Sequence, residues 1–269
     1  MNQQKPDNFN AVEQRFVVWL HRYHTTEMIE RAETQALWQD MVTVLTYVRD
    51  NKVVGTQSTG NMPRKAVREV TARFVKPPKL DTTIGDQTYK LRSEADVWPL
   101  YFLHILAEVG DLVKIARGKR WRLLPEGERF LTLDPFLQLG NLSMIWWYKV
   151  NWLVAYPYEG MGEALPDYFN LATLDRLLEL PVGEQIPFEE FADDLIARTG
   201  LTWTSPQYAE MLLRSSIAQM VVYVSERLGI VKNQYREERI GNSNLRDLVA
   251  FEVTPLGRAL LEGLTVVQR

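Results

Sequence analysis

Two stretches of this chain, roughly 130 residues apart, are written in the same order, and a repeat of this kind marks two copies of one supersecondary unit. The first runs from Glu108 to Leu131. The second starts at Glu226, passes through a longer polar insert, and ends at Leu261. In each copy an apolar helix ends on glycine (Gly110, Gly229), the residue that tolerates the left-handed conformation at a helix C-terminus. A β-hairpin is expected next. Val113 and Ile115, then Trp121 and Leu123, alternate with other residues around Arg117, Gly118 and Lys119, a period-two pattern with a glycine-containing turn. Val249, Phe251 and Val253 alternate in the second copy, where Asn233 to Asp247 forms a long polar tip. Each returning strand meets a proline (Pro125, Pro255), then a glycine two positions later (Gly127, Gly257) and a short apolar helix. Proline suits a first helical turn because no N–H has to be satisfied there.

The residues upstream are parallel as well. Leu37, Met41, Val44, Leu45 and Val48 fall at helical spacing within 36–49, and Leu174, Leu177 and Leu178 do so within 171–180. Second helices begin near Pro63 and Pro187, and third helices span 95–109 and 206–228. Three helices, a hairpin and a short helix, written twice, predict a mainly α chain with small β-hairpins (α+β), organised as two winged-helix domains in tandem. The first domain takes 36–133 and the second 166–269. Residues 1–35 read as a polar tail and a helix from about Val12 to Glu33 that would cap the first domain, and 134–165 as an aromatic linker helix packed between the two.

The glycine, hairpin and Pro-x-Gly succession resembles the third-helix-to-wing segment of winged-helix domains in general. Residues 51–147, with Ser58 to Lys65 early and Ile145, Trp146 and Trp147 at the end, also resemble uncharacterised winged-helix regions of bacterial plasmid-type open reading frames. The resemblance implies a fold, because winged helices serve DNA binding, RNA binding and protein assembly alike.

Composition narrows the chemistry. The chain has no cysteine, which removes disulfides, thiol catalysis and thiolate zinc sites. No basic-then-apolar leader opens the chain. The longest apolar window, Leu142 to Tyr156, is too short to span a membrane and carries Lys149, so a cytoplasmic protein is expected. Gly55 to Gly60 superficially suggests a phosphate-binding loop but is followed by Asn61 and Met62 instead of Lys and Ser/Thr. His21, His24 and Glu27 share a helical face on an unbroken helix, yet three ligands on one turn rarely close a metal shell, and His104 sits in an apolar run as a core residue. Glu189, Glu190, Asp193 and Asp194 suit the positive end of a helix without any catalytic role. No catalytic residue, metal or cofactor is expected, and the protein is read as non-enzymatic.

Charge is the functional signal. The formal net charge is −3, so any nucleic-acid binding has to rest on a local patch. Arg64, Lys65 and Arg68 open the second helix of the first domain, and its wing carries Lys114, Arg117, Lys119, Arg120 and Arg122 with no acid between them. The third helix there is too apolar to read bases, which needs Arg, Asn or Gln on its outer face. Residues 159–210 are crowded with acids and hold only Arg176 and Arg198 as bases; possible contacts of the second domain are Arg214, Lys232, Arg236 and Arg239. The leading expectation is a regulator-like protein associated with double-stranded DNA. Arg64, Lys65, Arg68, Arg117, Lys119, Arg120 and Arg122 would touch phosphates or a groove, and the acidic second domain would dimerise or recruit a protein. The alternative is a tandem winged-helix assembly factor with no nucleic-acid role. A third possibility is an enzyme whose site the sequence hides.

Overall fold

The structure, a computed structural model, describes residues 8–84, 87–155, 165–240 and 243–266. In chain order its helices are α1 (Asn8–Tyr23), α2 (Thr26–Glu33), α3 (Ala36–Asp50), α4 (Arg64–Thr71), α5 (Trp98–Val109), α6 (Pro125–Leu131), α7 (Pro135–Tyr148), α8 (Trp152–Ala155), α9 (Phe169–Glu179), α10 (Phe188–Thr199), α11 (Ala209–Ile217), α12 (Tyr223–Arg227) and α13 (Pro255–Val266). The strands are β1 (Thr82–Ile84), β2 (Gln87–Tyr89), β3 (Val113–Ala116), β4 (Arg120–Leu123), β5 (Ile186–Pro187), β6 (Val231–Ile240) and β7 (Ser243–Val253). The chain is mainly helical with small antiparallel sheets, an α+β fold. It divides into two compact units, 33–150 on one side and 1–32 with 151–269 on the other.

In the 33–150 unit, α3 packs against α4, α5, α6 and α7. Met41, Val44 and Leu45 of α3 and Leu100 and Leu106 of α5 are fully buried. Helix α7, expected as a linker, is part of this core: Trp146 meets Phe102 edge to face with ring centroids 5.4 Å apart. The β3–β4 hairpin pairs Val113 with Leu123 and Ile115 with Trp121. A third strand-like segment lies along its outer edge, with Val54 bridged to Arg120 and the Trp121 N–H donated to the Val53 carbonyl at 3.0 Å. The pairing of β1 with β2, in register from Thr82 with Tyr89 to Ile84 with Gln87, was not expected, although the sequence between them, Gly85-Asp86, is a dipeptide that favours two-residue turns.

In the other unit, α9 and α10 pack together and the sheet runs in the order β5-β7-β6. The predicted third helix is present in three pieces, because Ala218–Val222 is wound as a π-helical turn between α11 and α12. The N-terminal helix breaks at His24 and Thr25, where the Thr25 hydroxyl accepts from the Met28 N–H at 3.3 Å and starts α2. This break takes Glu27 out of the helix that carries His21. Helix α1 packs on α13, with Phe16 and Trp19 against Gly263 and the Tyr23 hydroxyl donating to Glu262 at 2.6 Å. It therefore groups with the 151–269 unit.

The sequence repeat reappears at the level of single atoms. The N–H after β4 (Leu124) bonds the Leu112 carbonyl at 2.9 Å, and the N–H after β7 (Thr254) bonds the Ile230 carbonyl at 3.0 Å. Gly127 and Gly257 then lie over those carbonyls, so close that a Cβ would stand 2.3 Å from the Leu112 oxygen and 1.9 Å from the Ile230 oxygen. The copies differ at the preceding helix ends. Gly229 is left-handed, as expected, with φ 74°. In the first copy Asp111 takes that conformation (φ 56°), and Gly110 is required instead by Ile145, whose Cδ1 would lie 2.4 Å from a Cβ.

Gly127→Ala and Gly257→Ala are each expected to destabilise the protein by about 1–3 kcal/mol, because the obstruction is backbone and cannot swing aside. A lowered urea midpoint in both variants is the expected reading; an unchanged midpoint in either would show that the close approach is not needed.

Candidate nucleic-acid interface

The exposed face of the first hairpin follows from strand alternation. Val113, Ile115, Trp121 and Leu123 turn toward the core, so Lys114, Ala116, Arg120 and Arg122 turn to solvent. The register sets Lys114 directly opposite Arg122. Like charges facing each other across a sheet oppose folding. The edge segment adds to this face: Val54, 44% exposed, is level with Arg120, and continuing the antiparallel register sets Lys52 level with Arg122. At the tip, Gly118 (φ 76°) and Lys119 (φ 58°) are both left-handed and Arg117 is exposed. No atom comes within 4 Å of where a Gly118 Cβ would be, so the tip stands clear.

The hairpin is held from beneath by a buried polar node. The Trp121 indole N–H donates to the Gly60 carbonyl at 2.9 Å, and Gly55 N–H donates to the Lys119 carbonyl at 2.8 Å, which anchors the 55–60 loop beside the wing tip. Gly55 approaches Gly60 so closely that a Cβ would lie 1.9 Å from its oxygen; the glycines of the apparent phosphate loop thus serve this backbone crossing. The His104 ring stacks obliquely near Trp121 at 4.3 Å, and its Nδ1 lies 2.6 Å from fully buried Glu94. Glu94 also accepts the Met62 N–H just before α4. The other ring nitrogen faces Glu108 at 3.4 Å, too long for a good hydrogen bond but close enough for charge attraction. Burial works against a charged imidazole here, yet the Glu108 and Glu94 carboxylates outweigh it and push the His104 pKa up to about 9.

The α4 residues behave differently from one another. Arg64 and Lys65 are exposed at the first turn; Lys65 reaches Glu69 only at 3.9 Å, an exposed pair worth about 0–1 kcal/mol. Lys65 lines a groove of about 380 Å³ together with Lys52, Val54 and Pro63, which joins α4 to the cationic sheet edge. Arg68, in contrast, is held by both oxygens of Asp81 at 2.9 and 3.3 Å, which keeps the Asp81 carboxyl below its usual range. It is a half-exposed ion pair within the 33–150 unit. Among the described residues no carboxylate lies within ion-pair distance of Arg64, Arg117, Lys119, Arg120, Arg122 or Lys114.

Three of the second-unit candidates face carboxylates. Arg214 is clamped by Asp193 at 2.7 Å, Glu210 at 2.9 Å and Glu189 at 3.8 Å, and it lowers the Asp193 pKa. Lys232 faces Glu252 across the strands at 3.4 Å, and Arg236 faces Asp247 at 3.6 Å. Arg214 is thus tied to carboxylates of its own unit, and Lys232 and Arg236 each face one across the strands. The Arg239 side chain lies outside the described residues. Sequence reasoning missed Lys52, because two residues pairing with a distant strand leave no periodic trace.

No family model and no curated protein matches this chain. Among solved structures it is similar to the restriction endonuclease FokI bound to DNA, with 14% identity and a TM-score of 0.31 over 97% of this chain and 47% of that one. The chain thus spans about half the length of that protein. A likeness at this level leaves function to be argued from the geometry. No helix among the described residues is long and apolar enough to cross a membrane.

The buried node has a pH signature. A raised histidine pKa contributes stability that is fully present below the unfolded value of 6.5 and is lost as pH rises through about 9. The urea midpoint of the 33–150 unit should therefore fall between those two pH values, and His104→Gln should abolish that fall. A natural chain equally stable at both ends of the window would contradict the charged node.

Proposed function

We propose that the chain is a non-enzymatic, duplex-DNA-associated protein built from two winged-helix modules in tandem, the first of which holds the phosphate backbone. The order of three helices, a hairpin and a short helix in each unit supports the winged-helix reading, as does the segment bridged to the outer side of the first hairpin and the short strand β5 on that of the second. Kinship with the winged-helix regions of bacterial plasmid-type open reading frames is proposed on the same ground.

One observation carries the functional reading. Lys114, Arg120 and Arg122 share a solvent face, Lys114 opposes Arg122, and no carboxylate among the described residues balances them. A surface kept at that electrostatic disadvantage is suited to an anion from outside, and a row of cations on a projecting hairpin matches the closely spaced phosphates of a duplex. Arg117 and Lys119 extend the row to the tip, and Lys52, Arg64 and Lys65 extend it toward α4. Helix α5 cannot read bases, since Leu100, Phe102, Leu103, His104, Leu106 and Ala107 are buried and its exposed residues are Glu108 and Val109. Binding by this module is accordingly governed by backbone charge and duplex shape.

Duplex affinity should fall steeply with salt, with a log–log slope of about −0.9 for each phosphate neutralised. Replacing Arg117, Lys119 and Arg120 by alanine should flatten that slope by as much as about 3, while Lys232→Ala with Arg236→Ala leaves it unchanged. A gel-shift or anisotropy titration at several salt concentrations reads both. An unaltered slope in the triple variant would remove the wing from the interface.

A further inference from the structure

Between the edge segment of the first hairpin and α4 the chain forms a tight loop to which the phosphate-holding reading gives no task. Its ends are closed on each other: the Thr56 N–H donates to the Asn61 carbonyl and the Gly60 N–H to the Thr56 carbonyl, both at 2.8 Å. Within it the Thr56 and Thr59 hydroxyls lie 2.8 Å apart, and the Thr59 oxygen accepts the Asn61 N–H at 3.2 Å. Gly55 and Trp121 tie the loop to the wing tip, and the Glu94 carboxylate holds Met62 just before α4. A loop fixed this closely loses little ordering entropy when a ligand meets it.

What the loop presents is polar and unengaged. Gln57 and Ser58 are exposed at its turn, and among the described residues no hydrogen bond occupies either side chain. The Asn51 amide upstream, in contrast, donates to the Tyr47 carbonyl at 2.9 Å. Charge suits the loop to nucleic acid: from Asn51 to Arg68 the chain carries Lys52, Arg64, Lys65 and Arg68 and no acidic residue. The loop leaves the wing tip at Lys119 and runs into the first turn of α4, so it joins the two groups of cations assigned to phosphates. Phosphate contacts fix the register of a protein on the duplex, and base edges in the grooves are read by other side chains. In the major groove Arg, Asn and Gln read bases, and a glutamine amide, with a donor and an acceptor side by side, matches the N6 and N7 edge of adenine.

We infer that the 55–60 loop is the base-reading element of the first unit, with the Gln57 amide set against an adenine edge in the major groove. This assignment, which rests on the phosphate-holding reading, gives to a loop the task that α5 cannot perform. Charge and duplex shape still govern how tightly the duplex is held, and Gln57 adds a preference for where.

The test is selection of duplexes from a random-sequence pool on the full chain, followed by affinity measurements on the winner at several salt concentrations. The enriched duplexes should share an adenine at one position. Replacing that adenine should weaken binding by the natural chain about fivefold or more, the range a bidentate base contact commands. Gln57→Ala should bind the selected duplex as weakly as the natural chain binds the replaced one, and the replacement should then cost the variant nothing further. The inference is overturned if binding is salt-dependent but the pool emerges without a base preference, or if the replacement weakens the natural chain and Gln57→Ala equally. Absence of salt-dependent duplex binding by the natural chain would overturn the phosphate-holding reading itself, and this assignment with it.

Discussion

Each unit depends on one backbone hydrogen bond at the base of its hairpin. Leu124 N–H to the Leu112 carbonyl, and Thr254 N–H to the Ile230 carbonyl, close the hairpin where it leaves the preceding helix. A glycine must then pass over the same carbonyl, and the next helix can begin only in the direction that this crossing allows. The arrangement sets how far each hairpin projects and which of its faces meets solvent. In the first unit the anchoring of Trp121 to Gly60, with His104 and its carboxylates behind, fixes the outward face further.

The same frame carries two opposite surfaces. On the first hairpin, Lys114 faces Arg122 and the charges are left unbalanced. On the second, Lys232 faces Glu252 and Arg236 faces Asp247, so that the strands are drawn together by the pairs that would otherwise contact a ligand. Opposite-charge cross-strand pairs each contribute roughly 0.2–1 kcal/mol, and like-charge pairs cost a similar amount. One hairpin is thus stabilised by its own charges, and the other sets like charges against each other.

Much of this frame could be read from the residues. Periodicity located α3 and α9 because each buries one face, and the alternation around Gly118 located β3 and β4, the hairpin on which Arg117, Lys119, Arg120 and Arg122 were named as phosphate or groove contacts. Long-range partners were the hidden part. Arg68 and Asp81 are separated by 13 residues, and Arg214 and Asp193 by 21, so nothing local reveals that these arginines are already engaged. Lys52 joins the cationic face only through pairing with a strand far along the chain. The apolar run in α7 signalled burial without saying against what, and Gly110 advertised a left-handed turn that Asp111 makes in its place.

The central claim is that Lys114 and Arg122 are kept in mutual repulsion for an external phosphate. Thermal midpoints of Lys114→Glu, with and without a short random duplex, address it directly. Without duplex the variant should melt at or above the natural chain, since the introduced carboxylate would pair with Arg122. Duplex should raise the midpoint of the natural chain and leave that of the variant nearly unmoved, because only a ligand bound to the folded state stabilises it. Equal stabilisation of both by the duplex would contradict the account.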